Sequence, residues 1–462
     1  MKQFVRASVA ACLSIAGVTG AAAPQMKLWR QIDIERYQGS FVCVGDLNDD
    51  GRADFLLYRE GPMTVPGYLA AVDHEGTRLW ELGDRTIEKH SSDGAWKEPA
   101  LRGIAFIHDL DQDGKAEVVT EFWKNGKPML YVLEGGTGKI LQQRESPFDL
   151  DVRGGRRSRC HPVGRVAYPR GKAGKPAIVL KYGASNHVPC LAVALDAQLH
   201  EMWRLPASKH AMGHIPSVGD VDDDGRDEII FGTLLVDESG REVWQKEVDR
   251  HADCTAIADV HPAPGRELLV SVCSTGPAYC LAADGRVLWE KTRQEVPHGQ
   301  GIWAGDFIEA EPGQEVIILR SGHVGDFITV WGADGTQIAA FRHKRTYQGY
   351  PDFPCVVNWK PGHEQSLWIP IDRTLVDGRG TVVAELGTFE PLAAETLDWG
   401  ETKSHLAVQA FAIDLCADPR QELVLYQPYN GKAILIFTQP DSDGAEKPYV
   451  HEKNAYNIRS YF

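Results

Sequence analysis

The sequence predicts an all-β protein, a single β-propeller of four-stranded blades, eight in number with seven the alternative. Three observations carry this reading. One acidic loop recurs, always between β-type runs: Asp46-Leu-Asn48-Asp-Asp50-Gly51-Arg-Ala-Asp54, Asp109-Leu-Asp111-Gln-Asp113-Gly114-Lys-Ala-Glu117 and Asp220-Val-Asp222-Asp-Asp224-Gly225-Arg-Asp-Glu228. The order strand, acidic turn, strand, apolar strand, Gly turn, Trp-bearing strand repeats with a period of about 40–60 residues, which is a propeller spacing. Helical periodicity is absent throughout.

Each loop sets alternating carboxylates ahead of a glycine, which places hard oxygens around one point as Ca²⁺ requires. An EF-hand needs flanking helices, and here Ser40-Phe-Val-Cys-Val and Phe55-Leu-Leu-Tyr enclose the first copy. The expected ligands are Asp46, Asn48, Asp50 and Asp54; Asp109, Asp111, Asp113 and Glu117; and Asp220, Asp222, Asp224 and Glu228. Degenerate copies at Asp259 to Glu267, Asp306 to Glu315 and Asp414 to Glu422 keep the first Asp and the final Glu and lose the inner carboxylates. Units begin near Gly39, Gly103, Pro162, Gly213, Ala252, Gly299, Pro354 and Leu406. The repeated Trp (Trp80, Trp244, Trp289) reads as packing between blades ahead of a sugar platform. Leu28-Trp-Arg and the aromatic segment Asn454 to Phe462 are candidates for closing the ring.

Residues 1–22 read as an export signal, with Lys2 and Arg6, an apolar run from Ala7 to Val18, and small residues at Gly20-Ala-Ala-Ala23. Val9-Ala-Ala-Cys12 is the lipoprotein alternative. Residues 23–462 then form one propeller domain, expected to be catalytic, secreted or periplasmic and monomeric. No later segment is long and apolar enough to span a bilayer. With 49 Lys and Arg against 64 Asp and Glu, the formal charge is −15, which disfavours nucleic acid as a partner.

Cys43, Cys355 and Cys416 sit in apolar strand-like runs and read as buried thiols. Cys273 and Cys280 flank a hairpin-like turn; they fit buried thiols, a disulfide, or a structural Zn²⁺ site with His251 and Cys254.

In a propeller the innermost strand runs from one mouth of the channel toward the acidic loop at the other. Residues ahead of each loop should therefore converge on one rim. They are Arg36 and Gln38; Arg102; His161 and Arg165; His210 and His214; His251; His298 and Gln300; Lys403 and His405. Lys181, Tyr182, Asn186 and His187 return to the same rim. Such a set in an acidic chain suits an anionic substrate and proton abstraction beside a carboxylate. Removing the C5 proton of a uronate needs a neutralised carboxylate, a base, and an acid for the leaving oxygen.

With these loops, Gly164-Arg-Val-Ala-Tyr168 and Tyr426-Gln-Pro-Tyr-Asn430, the chain resembles the calcium-loop (FG-GAP/VCBS-like) propeller lyases. These are the bacterial eight-bladed rhamnogalacturonan lyases and the propeller-type ulvan lyases. The resemblance implies β-elimination on a uronate-containing, rhamnose-rich acidic polysaccharide, with histidine and tyrosine as base and acid and arginine on the carboxylate. The residues assigned to proton transfer are His161, Tyr182, His187 and His214. Those assigned to substrate are Arg102, Arg165, Lys181, His251, His298, Lys403 and His405, and Ca²⁺ is assigned a structural role. A glycan-binding propeller without activity and a glycosidase acting on rhamnosyl-glucuronate are the alternatives.

Overall fold

Short runs rich in Val, Ile, Leu and aromatics, punctuated by Asp- and Gly-bearing turns, fold into eight four-stranded antiparallel sheets and one two-stranded hairpin. The computed structural model describes residues 23–37, 41–61, 65–87, 103–148, 162–183, 190–207, 212–262, 264–273, 276–320, 327–342, 354–370, 372–387, 396–398, 403–405, 408–427 and 431–450. For 207, 396–398 and 403–405 this covers the backbone only. The segment read as an export signal lies outside the described residues, as does Asn454 to Phe462. No helix among the described residues is long and apolar enough to cross a membrane.

The first strands of blades 1 to 8 are Phe41–Gly45, Ala105–His108, Val163–Ala167, Ser217–Gly219, Ala252–Ala258, Gly299–Gly305, Cys355–Val357 and Gln409–Ile413. First strands touch one another between blades 1 and 2, 3 and 4, 4 and 5, 5 and 6, and 7 and 8, as an inner ring requires. The predicted unit starts Gly103, Pro162, Gly213, Ala252, Gly299 and Pro354 lie at or just ahead of these first strands, and Gly39 and Leu406 lie outside the described residues. Strand Lys27–Asp33 pairs antiparallel with Ala433–Thr438 and becomes the outermost strand of blade 8. The early Leu28-Trp-Arg segment thus closes the ring, as its position suggested.

Burial follows the layering. Second strands such as Ala177–Tyr182 and Glu267–Val272 are buried at every residue, whereas the outer strand Ile140–Glu145 alternates half-buried and exposed. Eight hydrophobic clusters fill the eight boundaries between blades. At one of them Ile413, Val424 and Ile436 of blade 8 pack with Val42, Phe55 and Tyr68 of blade 1, so the ring is continuous.

The outer Trp residues lie at these boundaries. Trp80 Nε1 donates to the Gly135 carbonyl of blade 2, Trp203 to Glu238 of blade 4, Trp244 to Ala283 of blade 5 and Trp289 to Ala333 of blade 6. Each ring lies against a turn of the next blade, which is the packing role read from the sequence.

The two ends of every inner strand are distinct. The acidic loops follow the C-terminal ends, and the residues read as a basic rim stand at the N-terminal ends, about 20 Å away across a strand of seven residues such as Ala252–Ala258.

Candidate functional site

The three acidic loops share one conformation. Their fourth residues Asp49, Gln112 and Asp223 have φ of 63, 63 and 61°, and a left-handed glycine follows two positions later. Their final carboxylates clasp the loop: Asp54 Oδ2 accepts from Leu47 N at 3.0 Å, Glu117 Oε2 from Leu110 N at 2.8 Å, and Glu228 Oε2 from Val221 N at 2.8 Å. One oxygen each of Asp109, Asp111 and Glu117 lies within 4.8 Å of the others, and Asp220, Asp222 and Glu228 do the same. Burial, helped by neighbouring carboxylates and opposed by the backbone bonds, pushes Asp54, Glu117 and Glu228 up to about 7. Asp54 Oδ1 and Asp220 Oδ1 are buried without a hydrogen-bond partner. Buried, crowded and partly unpaired oxygens fit a hard cation.

The degenerate loops keep the clasp without the full set of inner carboxylates. Glu267, Glu315 and Glu422 each accept two backbone N–H groups through Oε2. In the Asp414 loop, Lys447 pairs with Asp414, and Arg420 Nε donates to Asp418 Oδ1 at 2.9 Å, so side-chain cations stand beside those carboxylates.

At the opposite end of the inner strands, blades 4, 5 and 6 bring three of the predicted histidines together around a carboxylate the sequence reading did not single out. Asp253 is 2% exposed; His214 Nε2 and His251 Nε2 each lie 3.3 Å from its Oδ1, and His298 Nε2 lies 3.2 Å from its Oδ2. The two facing imidazoles approach at 2.9 Å between Nε2 atoms. Cys273 completes the group, with its thiol within 4.8 Å of the ligating atoms of Asp253 and His298.

Local backbone explains the convergence. The ladder between Ala252–Ala258 and Glu267–Val272 skips Asp253, a bulge that re-aims its side chain. Cys273 N donates to the His251 carbonyl and His214 N to the Ala252 carbonyl, both at 3.0 Å. Gly213 has φ +62° and a Cβ there would lie 2.8 Å from the Ala252 oxygen, so only glycine permits this approach of blade 4 to blade 5. His298 itself holds φ +58°, costly for a residue with a Cβ.

Charge is concentrated here. Burial alone would raise Asp253, yet the three imidazoles hold it well below the usual carboxylate range. Burial opposes the charge on His251, but bonds to Asp253 and Cys273 raise it to about 9; the same partners raise His298 to about 10.

The other predicted residues fall elsewhere. Lys181 is buried, and its Nζ donates to the carbonyls of Gly213 at 2.7 Å and His214 at 2.6 Å, so it holds the scaffold under the cluster. Arg165 is also buried, donating to Pro216 and Gly164 carbonyls, and burial lowers it to about 10. Tyr182 lies apart in the boundary of blades 2 and 3, where its hydroxyl donates to Glu121 Oε1 at 2.9 Å and its ring stacks on Phe148. Lys403 and His405 belong to the hairpin Thr396–Asp398/Lys403–His405, which precedes the inner strand of blade 8. Arg102, His161, His187, Asn186, His210 and Gln38 lie outside the described residues.

The cysteine alternatives resolve in part. Cys43, Cys190, Cys254, Cys273, Cys280, Cys355 and Cys416 form no disulfide among the described residues, so Cys273 and Cys280 are not bridged. Cys254 and Cys280 lie in the core between blades 5 and 6, away from the side-chain face that Asp253 takes, so the quartet with His251 does not assemble. No alternation signalled the missed carboxylate, because the bulge takes Asp253 out of the regular pattern of its strand.

Comparison with known proteins adds a family. The chain is 27% identical over 333 residues to the rhamnogalacturonan endolyase YesW of Bacillus subtilis (strain 168), covering 61% of this chain and 52% of that protein. It is 26% identical over 309 residues to the rhamnogalacturonan exolyase YesX of the same organism, covering 55% and 48%. The chain spans about half the length of these curated relatives. Among solved structures, the Bacillus licheniformis rhamnogalacturonan lyase PL11 shares the fold with a TM-score of 0.66 at 18% identity, over 91% of this chain and 75% of that one. Residues 124–456 match the rhamnogalacturonan lyase family 11 C-terminal domain, and the chain belongs to that family.

Proposed function

We propose that the protein is a polysaccharide lyase that cleaves a rhamnogalacturonan-type glycan by β-elimination at its uronate. The observation that carries this reading is the cluster of His214, His251 and His298 around Asp253 at one mouth of a family 11 propeller, with His251 and His298 raised by Asp253 and Cys273. Elimination passes through a developing dianion, and fixed positive charge beside the uronate carboxylate stabilises it. We assign all three imidazoles to that carboxylate. His214 therefore moves out of the proton-transfer set, because it shares Asp253 with the other two. Proton transfer falls to His161 and His187, which border blade 3 in sequence, and Arg102, Lys403 and His405 extend the anionic subsite. Lys181 and Arg165 are positioning residues, since their charged groups are spent on backbone carbonyls. Tyr182, bonded to Glu121 and stacked on Phe148, is assigned to the scaffold as well.

We further propose structural Ca²⁺ in the loops at Asp46, Asp109 and Asp220, supported by the unpaired buried oxygens of Asp54 and Asp220 and by the convergent carboxylates of the Asp109 and Asp220 loops, and export of the chain on the strength of residues 1–22. The test is incubation with rhamnogalacturonan and, separately, ulvan, in Ca²⁺, following ultraviolet absorbance of the unsaturated uronate together with reducing ends. Both rising on rhamnogalacturonan supports the reading, and both rising on ulvan alone corrects the substrate. Reducing ends without absorbance mean hydrolysis, and neither means a binding propeller. His298→Ala should lower kcat/KM by about a hundredfold, the scale of one lost charge-stabilising donor.

A further inference from the structure

We propose that Arg320 and Arg342, set around the ring of Phe327 on blade 6, form an outlying anionic subsite that binds the carboxylate of a second uronate of the glycan. The identity of that glycan rests on the lyase reading; the affinity of the subsite is measured without turnover.

The register of blade 6 lines the subsite up with the channel mouth. Gly299, the neighbour of His298, pairs with Arg320; Arg320 pairs with Phe327, and Phe327 with Arg342. Directly opposed residues share one face of a sheet, so Arg320, Phe327 and Arg342 stand in a single row. Ile318 and Trp331 lie on that same face by alternation and pack with Leu269 and Cys280 of blade 5, so the row faces blade 5. His298 meets Asp253 and Cys273 across the same boundary. With neighbouring strands about 4.8 Å apart, Arg342 stands about 14 Å outside the inner strand. The row therefore leads from the histidine cluster to the outer edge of the blade.

The two guanidiniums share one ring and no carboxylate. Arg320 Cζ lies 5.3 Å and Arg342 Cζ 5.7 Å from the centroid of Phe327. Cation–π attraction to that ring holds two like charges side by side. Other arginines of this acidic chain pair with carboxylates, as Arg204 does with Glu201, Arg226 with Asp224 and Arg420 with Asp418. Neither Arg320 nor Arg342 has such a partner among the described residues.

A second observation points to an anion. Arg320 is half-buried, and its Nε is covered without a hydrogen-bond partner. Burial, helped by the like charge of Arg342, lowers its pKa. A covered N–H donor without an acceptor is costly, and a guanidinium edge matches a carboxylate through two parallel bonds. A carboxylate entering the row gives Arg320 an acceptor and relieves the repulsion between the two cations. The glycan carries such groups itself. With one uronate at the histidines, another uronate of the same chain that follows the boundary of blades 5 and 6 meets the arginines.

The test compares Arg320→Gln, Arg342→Gln and the double variant with the wild type on rhamnogalacturonan in Ca²⁺. Each single change should raise KM about tenfold and the double change about a hundredfold, the scale of one and two charge-assisted bonds. The value of kcat should hold, because a contact away from the broken bond stabilises substrate and transition state alike. Arg241→Gln removes an arginine from an exposed turn that touches the Asp220 loop, and should change neither constant. Binding is read separately by calorimetric titration of the polymer into His298→Ala, where turnover is slow, and into the triple variant that adds both arginine changes. The triple variant should bind about a hundredfold more weakly, and carboxyl-reduced polymer should bind both proteins equally. Thermal melts establish that each variant is folded. If the wild type eliminates nothing while the titration difference stands, the lyase reading fails and the subsite holds. Unchanged affinity in the folded triple variant overturns the subsite. A fall in kcat as large as the rise in KM overturns it too, since the arginines would then act on the carboxylate beside the broken bond.

Discussion

Lys181 Nζ donates to the carbonyl of His214 at 2.6 Å, so a fully buried ammonium on blade 3 sets the backbone of the residue that opens blade 4. The same nitrogen binds the Gly213 carbonyl, and the two bonds fix the turn that carries the imidazole toward Asp253. Lys181→Met keeps much of the volume and removes both donors. Two carbonyls lose charge-assisted bonds, offset by relief from burying a charge, for a net loss of about 1–3 kcal/mol. Thermal melting should show that loss. A melt unchanged from wild type would place the anchoring elsewhere.

Trp289 and Gly335 provide the test of packing against sugar stacking. Trp289 is 7% exposed, its Nε1 donates to Ala333 across the boundary at 3.1 Å, and a Cβ on Gly335 would lie 2.8 Å from its ring. Trp289→Ala should cost about 3–5 kcal/mol. Gly335→Ala is strained both by that contact and by φ +78°, and should cost about 1–2 kcal/mol. Denaturant unfolding reads both losses, while KM of the folded variants on glycan should stay at the wild-type value.

The ring and its register were legible because they are written as local, repeated chemistry. The final carboxylate persists even in the Asp259, Asp306 and Asp414 loops because Glu267, Glu315 and Glu422 clasp backbone N–H groups whether or not a cation is present. The rim was legible as a set, since strand direction alone places His214, His251 and His298 at one mouth. It was not legible member by member. Lys181 and Arg165 have the same chemistry as substrate-binding cations, and only tertiary packing turns their donors toward carbonyls. Asp253 was hidden by a bulge, because a skipped residue changes which side chains share a face without changing the sequence pattern.

Removal of Ca²⁺ should lower stability through the three complete loops. Each saturated site contributes about 2.7 kcal/mol at a hundredfold excess of ion over Kd. Chelation should therefore lower Tm, and Asp109→Asn or Asp220→Asn should shrink the shift, since both first aspartates also accept the glycine N–H of their loops. The Asp414 loop is the internal control. Lys447 already pairs with Asp414, so Lys447→Met should destabilise the chain equally with and without Ca²⁺. A chelator-insensitive melt in the wild type would remove Ca²⁺ from the loops.

Glu315 sets a pH dependence independent of any bound ion. Its side chain is almost wholly buried; that burial raises it to about 7, against the bonds from Phe307 N at 2.8 Å and Ile308 N at 3.0 Å. The folded state thus keeps a proton that the unfolded chain releases near 4.5. Between these values unfolding releases a proton, so this group's contribution to stability falls as pH rises from about 4.5 to about 7 and is constant above. Glu315→Gln removes the ionisation and keeps an oxygen for the two N–H groups. The difference in Tm between Glu315→Gln and wild type should therefore move in the variant's favour from pH 5 to pH 8, as unfolding scans at both values would read. Any fixed cost of the amide cancels in that comparison, and so do the other titrating groups. A difference that stays constant, or moves toward the wild type, would mean that Glu315 is ionised at pH 5 and that its two N–H bonds outweigh its burial.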